Sequence, residues 1–191
     1  DDGGNDTDPL LGDGKVFFKS NRVADKDYYY MNTDGGTITA FDPKNNFYFA
    51  HIGLGYHNGS EHLVTVSTAT WYNLYRYNNL FDVNYLTNTK VGSDYSGTAG
   101  ASSFIWTSSG NTMIMSCSVD DACGTGGNIY TYNKNDGSKS HIVAGSSPSF
   151  SSSEDRIIFV NSSGHISLIG LDGTNEVDLG VSGTNPQYSA L

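Results

Sequence analysis

At 191 residues the chain is long enough for one well-buried domain and short for two. A formal charge of −10, with ten lysines and arginines that nowhere cluster, excludes the cationic stripe a nucleic-acid partner needs, and no apolar run is long enough for a membrane-spanning helix. Thirteen tyrosines and 23 glycines make the composition of a strand-and-turn protein, because tyrosine suits a half-buried pleated surface and glycine supplies the turns.

Residues 1–11 read as a polar, acidic leader. The start at Asp1, without methionine, reads as a mature chain whose targeting segment has been removed. Asp1, Asp2, Asp6 and Asp8 are candidate calcium ligands, since calcium gathers about six to eight oxygens from closely spaced carboxylates and loop carbonyls. Their spacing is not that of an Asp-x-Asp-x-Asp-Gly loop and no distal glutamate follows, so the expectation is that no cofactor binds.

From residue 12 onward no segment carries a helical period, whereas alternating or apolar runs of strand length recur, which makes the fold all-β. The first unit, about 12–45, opens on the turn Gly12-Asp13-Gly14 and continues as "KVFFKSN", "DYYYMN" and "TITAFD", with Asp34-Gly35 as a hairpin turn. The second, about 46–100, reads "NFYFAHI", "EHLVTVS", "NLYRYN" and "VNYLTN". The third, about 101–146, reads "SSFIWTS", "NTMIMSC", "NIYTYN" and "SHIVAG", with Asp136-Gly137 between the last two. The fourth, about 147–184, reads "PSFSS", "DRIIFVN", "HISLIGL" and "EVDLGV", with Asp172-Gly173 in the same place. Four strands per unit at a period of about 40 to 55 residues predict a small β-propeller of four blades, each of four antiparallel strands. The first unit lacks an opening strand, and Pro186, Gln187, Tyr188, Ser189, Ala190 and Leu191 form an opening strand without a unit. That match predicts that the C-terminal strand, residues 185–191, completes the first blade, either in cis or in trans.

Cys117 and Cys123 flank a short loop; they can bridge in an oxidising compartment or stay as thiols, and they lack the further ligands of a zinc site. His51, His57 and His62 span a strand, a loop and the next strand; His57 and His62 can converge across the turn, but no third ligand accompanies that pair, so a solvated hairpin is the expectation, and His141 and His165 sit in alternating strands. The three arginines, Arg22, Arg76 and Arg156, fall in different units, and no Gly-x-Ser-x-Gly elbow occurs, so no enzymatic site is expected.

The run Pro148-Ser149-Phe150-Ser151, a turn, "RIIFV" and then Asp172-Gly173 resembles the repeat of TolB-type propellers, which are WD40-like in architecture. The stretches "GKVFFKSNRVADKDYYYMNTDGG" and "PSFSSSEDRIIFVNSSGHISLIGLDG" carry the resemblance, which extends over nearly the whole chain. Phe150 and Tyr188 stand where the family favours tryptophan, Glu154-Asp155 replaces its Asp-Gly-Lys, and the second unit is longer. The resemblance implies the propeller fold and transfers no active site.

Two functions lead as expectations, with an enzyme whose site the sequence does not reveal as the third and last alternative. In one, the chain is a non-catalytic, secreted structural protein whose partners are other copies of itself, joined by strand exchange and able to propagate as a filament. In the other, the C-terminal strand closes its own ring, and the protein is a monomeric secreted or periplasmic TolB-like module that binds a protein or glycan. Its partner surface would then include Tyr77, Phe81, Tyr85 and Tyr95 of the long second unit.

Overall fold

The computed structural model describes residues 5–23, 26–41, 54–58, 62–66, 69–70, 76–77, 79–87, 89–117, 120 and 122–188. Its secondary structure is strand throughout, without a helix among the described residues. The first sheet is the antiparallel meander β1 (Asp6–Gly12), β2 (Lys15–Val23), β3 (Lys26–Asn32) and β4 (Thr39–Phe41), hydrogen-bonded in that order. Asp13 and Gly14 turn β1 into β2 with φ of 51° and 63°, the paired positive values of a type I′ hairpin, and Gly12 accordingly sits opposite Lys15.

The second sheet contains β5 (Leu54–Asn58) and β6 (Leu63–Val66). A separate two-stranded hairpin, β7 (Ala69–Thr70) and β8 (Arg76–Tyr77), interrupts it, and β9 (Phe81–Asn84) and β10 (Thr89–Val91) complete it in the order β5-β6-β9-β10. The third is a seven-stranded antiparallel sheet: β11 (Ala101–Trp106), β12 (Thr112–Cys117), β13 (Asn128–Asn133), β14 (Lys139–Phe150), β15 (Arg156–Asn161), β16 (His165–Gly170) and β17 (Val177–Ser182). It consists of two four-stranded meanders that share β14. The first half of this strand pairs with β13 and the second half with β15, with bulged registers along both pairings. Gly145 stands between the halves with φ 157°, and a Cβ there would come within 2.6 Å of the Phe159 ring and the Val160 carbonyl.

The meanders stack face to face, with a core layer between each successive pair. Phe17, Tyr28 and Phe41 of the first pack on Val64, Val66, Phe81, Val83 and Tyr85 of the second. Leu80 and Tyr95 of the second pack on Trp106, Met113, Met115 and Tyr132. Ile114, Ile129 and Ile142 then pack on Phe150, Ile157, Phe159 and Ile169. Across the middle layer runs a buried polar relay: Trp106 Nε1 donates to Thr65 Oγ1 at 2.8 Å, Thr65 donates to Asp82 at 2.6 Å, and Tyr95 donates to the other Asp82 oxygen at 2.5 Å. Lys134 Nζ stands 3.8 Å from that carboxylate and faces the Tyr95 and Trp106 rings. Burial, with the hydrogen bond to Asp82, raises the Tyr95 phenol far above its ordinary pKa.

Three expectations are corrected. Residues 6–11 are not a leader: Pro9, Leu10 and Leu11 lie within β1, which occupies the place on β2 assigned to the C-terminal strand. The physical reason is the type I′ turn, which delivers β1 directly onto β2 with Leu10 opposite Phe17 and Leu11 opposite Val16. In the second unit the strand beside β6 is β9, while Arg76–Tyr77 of "NLYRYN" belongs to the inserted hairpin. The opening run from Asn46 lies outside the described residues, and the strand found in that place is β5.

Candidate functional site

Two surfaces and one internal space are candidates. The innermost strands β1, β5, β11 and the second half of β14 follow one another around a common centre. A cavity of about 420 Å³ lies there, walled by Ser102 and Ser103 of β11, Ser147 and Ser149 of β14, Pro9 and Leu10 of β1, and the C-terminal Asn185, Pro186 and Gln187. The C-terminal segment repeats the geometry of β14: Asn185 precedes Pro186 with φ 49° as Ser147 precedes Pro148 with φ 52°, and both prolines are buried. Through residue 188, however, it forms no strand and it is not paired with β2. Ser189, Ala190 and Leu191 lie outside the described residues.

The surfaces are the outward faces of the first and last meanders. In the last, Ile157, Phe159 and Ile169 fill the internal core, yet the other face is aliphatic too. Ile158, Leu168 and Val177 stand in register across three strands, and Val160 stands opposite Ile166. On the edge strand β17, Val177, Leu179 and Val181 are 46%, 45% and 56% exposed. The run "RIIFV" is thus apolar on both sides, the pattern of a strand meant to be covered on both faces.

The outward face of the first meander carries Leu11, Val16 and Met31 in register, with Leu11 72% exposed. Beside them a cavity of about 480 Å³ is walled by Pro9, Val16, Phe18, Met31 and Ile38. Phe18 and Tyr29 stack at 5.9 Å, and the Arg22 guanidinium covers both rings at 5.2 and 5.1 Å while forking onto Asp6 at 2.7 and 2.8 Å. Hydrogen bonding from Ser20, and then from Arg22, holds the Asp6 carboxyl below its ordinary pKa.

The remaining candidates distribute as follows. Asp1 and Asp2 lie outside the described residues, Asp8 is a residue of β1, and Asp6 is engaged by Arg22. Among the described residues no three histidine, cysteine, aspartate or glutamate side chains converge as a metal site. The sulfurs of Cys117 and Cys123 lie at disulfide distance, with Cα atoms 5.8 Å apart. Phe81, Tyr85 and Tyr95 are buried in core layers, which corrects their reading as surface anchors: each fills the space between neighbouring sheets. Tyr77 is a residue of β8. His51 lies outside the described residues and His57 falls in β5; His141 is bonded to Asn128 and His165 to Asp178.

His62 instead reaches the first unit, where its Nδ1 lies 2.5 Å from Asp13 Oδ2 and Tyr85 donates to the same oxygen at 2.5 Å. This trio clasps the first and second sheets at their turns. The hydrogen bond from Tyr85 lowers the Asp13 pKa, against a smaller opposing effect of burial and with further help from His62. The sequence offered one signal for it, the Gly12-Asp13-Gly14 turn, but none for its partners.

No family model matches the chain, and no curated protein matches it in sequence. Among solved structures it is similar to a chain of the nidogen/laminin complex, with a TM-score of 0.62 at 8% identity, covering 89% of this chain and 61% of that one. It is similar to a TolB from Agrobacterium tumefaciens, with a TM-score of 0.60 at 14% identity, covering 87% and 61%. It is also similar to the tricorn protease, with a TM-score of 0.64 at 17% identity, covering 92% of this chain and 18% of that one. The chain therefore spans about three fifths of the length of the first two. Taken with the stacked antiparallel sheets, these likenesses establish a TolB-like β-propeller fold.

Proposed function

We propose that the protein is a non-catalytic extracellular structural subunit of four blades that joins other copies of itself head to tail. The outward face of the last meander in one copy is seated on the outward face of the first meander in the next. The observation that carries this reading is the pair of open aliphatic faces, one around Leu168 and Val177, the other around Leu11, Val16 and Met31. Their contact would continue the layering already present between the internal meanders, the last of whose core layers is likewise mainly aliphatic. The two faces differ, so the contact is heterologous: it closes a ring if the rotation permits and otherwise propagates as a filament. Strand exchange is not part of the proposal, because β1 already occupies the edge of β2. The cysteine pair at disulfide distance supports the extracellular placement.

Light scattering and electron microscopy on the native protein and on V177K/L179K test this. Mass that grows with concentration, with regular particles that vanish in the variant at unchanged melting temperature, is the expected result. A native protein that stays monomeric throughout overturns it. If the variant melts lower while the native chain stays monomeric, the face is covered within one molecule and the protein is a self-contained module.

A further inference from the structure

We propose that the cavity enclosed by the innermost strands is a binding site for a neutral saccharide, a reading independent of how copies associate. The first observation is its chemistry. Ser103, Ser146, Ser147, Ser149, Asn185 and Gln187 line this one space, and among the described residues no side-chain hydrogen bond joins any of the six to another group. Ser151 and Ser153, a few residues further along the chain, both engage Asp155. Unengaged hydroxyls and amides that both donate and accept, gathered in one concavity, suit a ligand that is itself a mixture of donors and acceptors.

The second observation is the absence of charge among the described wall residues, which include the apolar Leu10, Pro148 and Pro186. A sugar ring presents hydroxyls at its rim and C–H groups on its faces, which matches hydroxyl-bearing walls interleaved with proline and leucine. A uronate or phosphorylated sugar would find no cation there and would meet a chain of net charge −10. The volume, about 420 Å³, falls in the range of small-ligand pockets, roughly 300–1,000 Å³, and accommodates a mono- or disaccharide.

The third observation is backbone strain directed at the same space. Ser147 and Asn185 both hold positive φ immediately before a proline, a costly combination, and Ser147 lies in a bulge whose register shifts between Ser146 and Ser149. Bulges of this kind re-aim side chains, and two strained polar residues here converge on one cavity.

Saturation-transfer NMR tests the site, since it reads weak ligands on particles of any size. The probes are glucose, galactose, mannose, N-acetylglucosamine, cellobiose and maltose, with digalacturonate as the charged control, each at about 10 mM so that millimolar affinity is visible. At least one neutral sugar is expected to give saturable transfer, and digalacturonate none. In S103A/S149A, and separately in S147G/N185G, which keeps the positive φ with glycine, affinity is expected to fall at least tenfold at unchanged circular dichroism. No transfer to any neutral sugar overturns the proposal, as does equal transfer to digalacturonate. Transfer that survives both variants places the sugar on the outer surface and overturns it equally.

Discussion

Asp13 holds two sheets together through a single oxygen, with His62 and the buried Tyr85 phenol both directed at it. Because its pKa is lowered in the folded state, its contribution to stability is present above the ordinary carboxylate range and is lost as pH falls through the folded value. The chemical-denaturation midpoint of the native protein is therefore expected to decline below about pH 4, where unfolded aspartates begin to protonate. D13N should flatten that part of the profile, and an identical decline in D13N would remove Asp13 from the account. Asp82 is the stricter case, since it is buried and accepts from Thr65 and Tyr95. Asp82→Ala strands both donors and removes the carboxylate facing Lys134, and is expected to cost about 3–5 kcal/mol in urea unfolding, whereas Asp82→Asn keeps acceptors in place and should cost less. Neither cluster was legible beforehand, because each joins residues far apart in the chain whose meeting depends on how successive sheets stack. The tyrosines misread as anchors show the same limit. Composition identifies an aromatic as sheet-compatible, but Tyr85 and Tyr95 look alike in sequence whether a second sheet covers them or not.

Strand by strand, the repeat was legible wherever an Asp-Gly turn marks a hairpin: β2–β3–β4, β12–β13–β14 and β15–β16–β17 fall where periodicity and turn chemistry place them. The failures have local causes. Pro9 and the leucines after it were submerged in an acidic context, although Pro9-Leu10-Leu11 stands before a two-residue turn much as Pro148-Ser149-Phe150 stands before a longer one. In the second unit the inserted β7–β8 hairpin has the same aromatic alternation as a sheet strand and displaced the assignment of β9. Since β1 covers the inner edge of β2 and Leu10 packs into the first core layer, Leu10→Asp is expected to lower the melting temperature strongly, by the loss of about 2 kcal/mol of apolar packing. Deleting residues 185–191 leaves every described strand in place and should change it little. The reverse order in a thermal melt would return the C-terminal segment to the role first expected of it. Gly145→Ala belongs with β1 in severity. Its Cβ would strike the Phe159 ring and the Val160 carbonyl at the junction of two meanders, for a cost of about 1–3 kcal/mol from overpacking.

At the scale of the whole molecule the legible property was charge, and it constrains how copies can meet. Each chain carries −10, so two chains repel, while the faces proposed to join them are aliphatic, with Arg22 on the first face already paired to Asp6. Association driven by apolar burial against like-charge repulsion has a definite salt dependence. Added sodium chloride screens the repulsion, with a Debye length of about 8 Å at physiological ionic strength, and leaves the apolar term nearly untouched. Scattering mass is therefore expected to rise as salt is raised from about 10 mM to 500 mM at neutral pH, and to rise again as the carboxylates are titrated toward their ordinary pKa. An interface built on ion pairs would behave oppositely, loosening in salt. A fall in mass with salt would therefore reject the aliphatic faces as the contact even if filaments were seen. V177K/L179K, which adds two cations to the edge strand, sharpens the comparison. It reduces the net repulsion between chains yet is expected to abolish association, because two desolvated ammonium groups at the contact cost more than the lost repulsion returns.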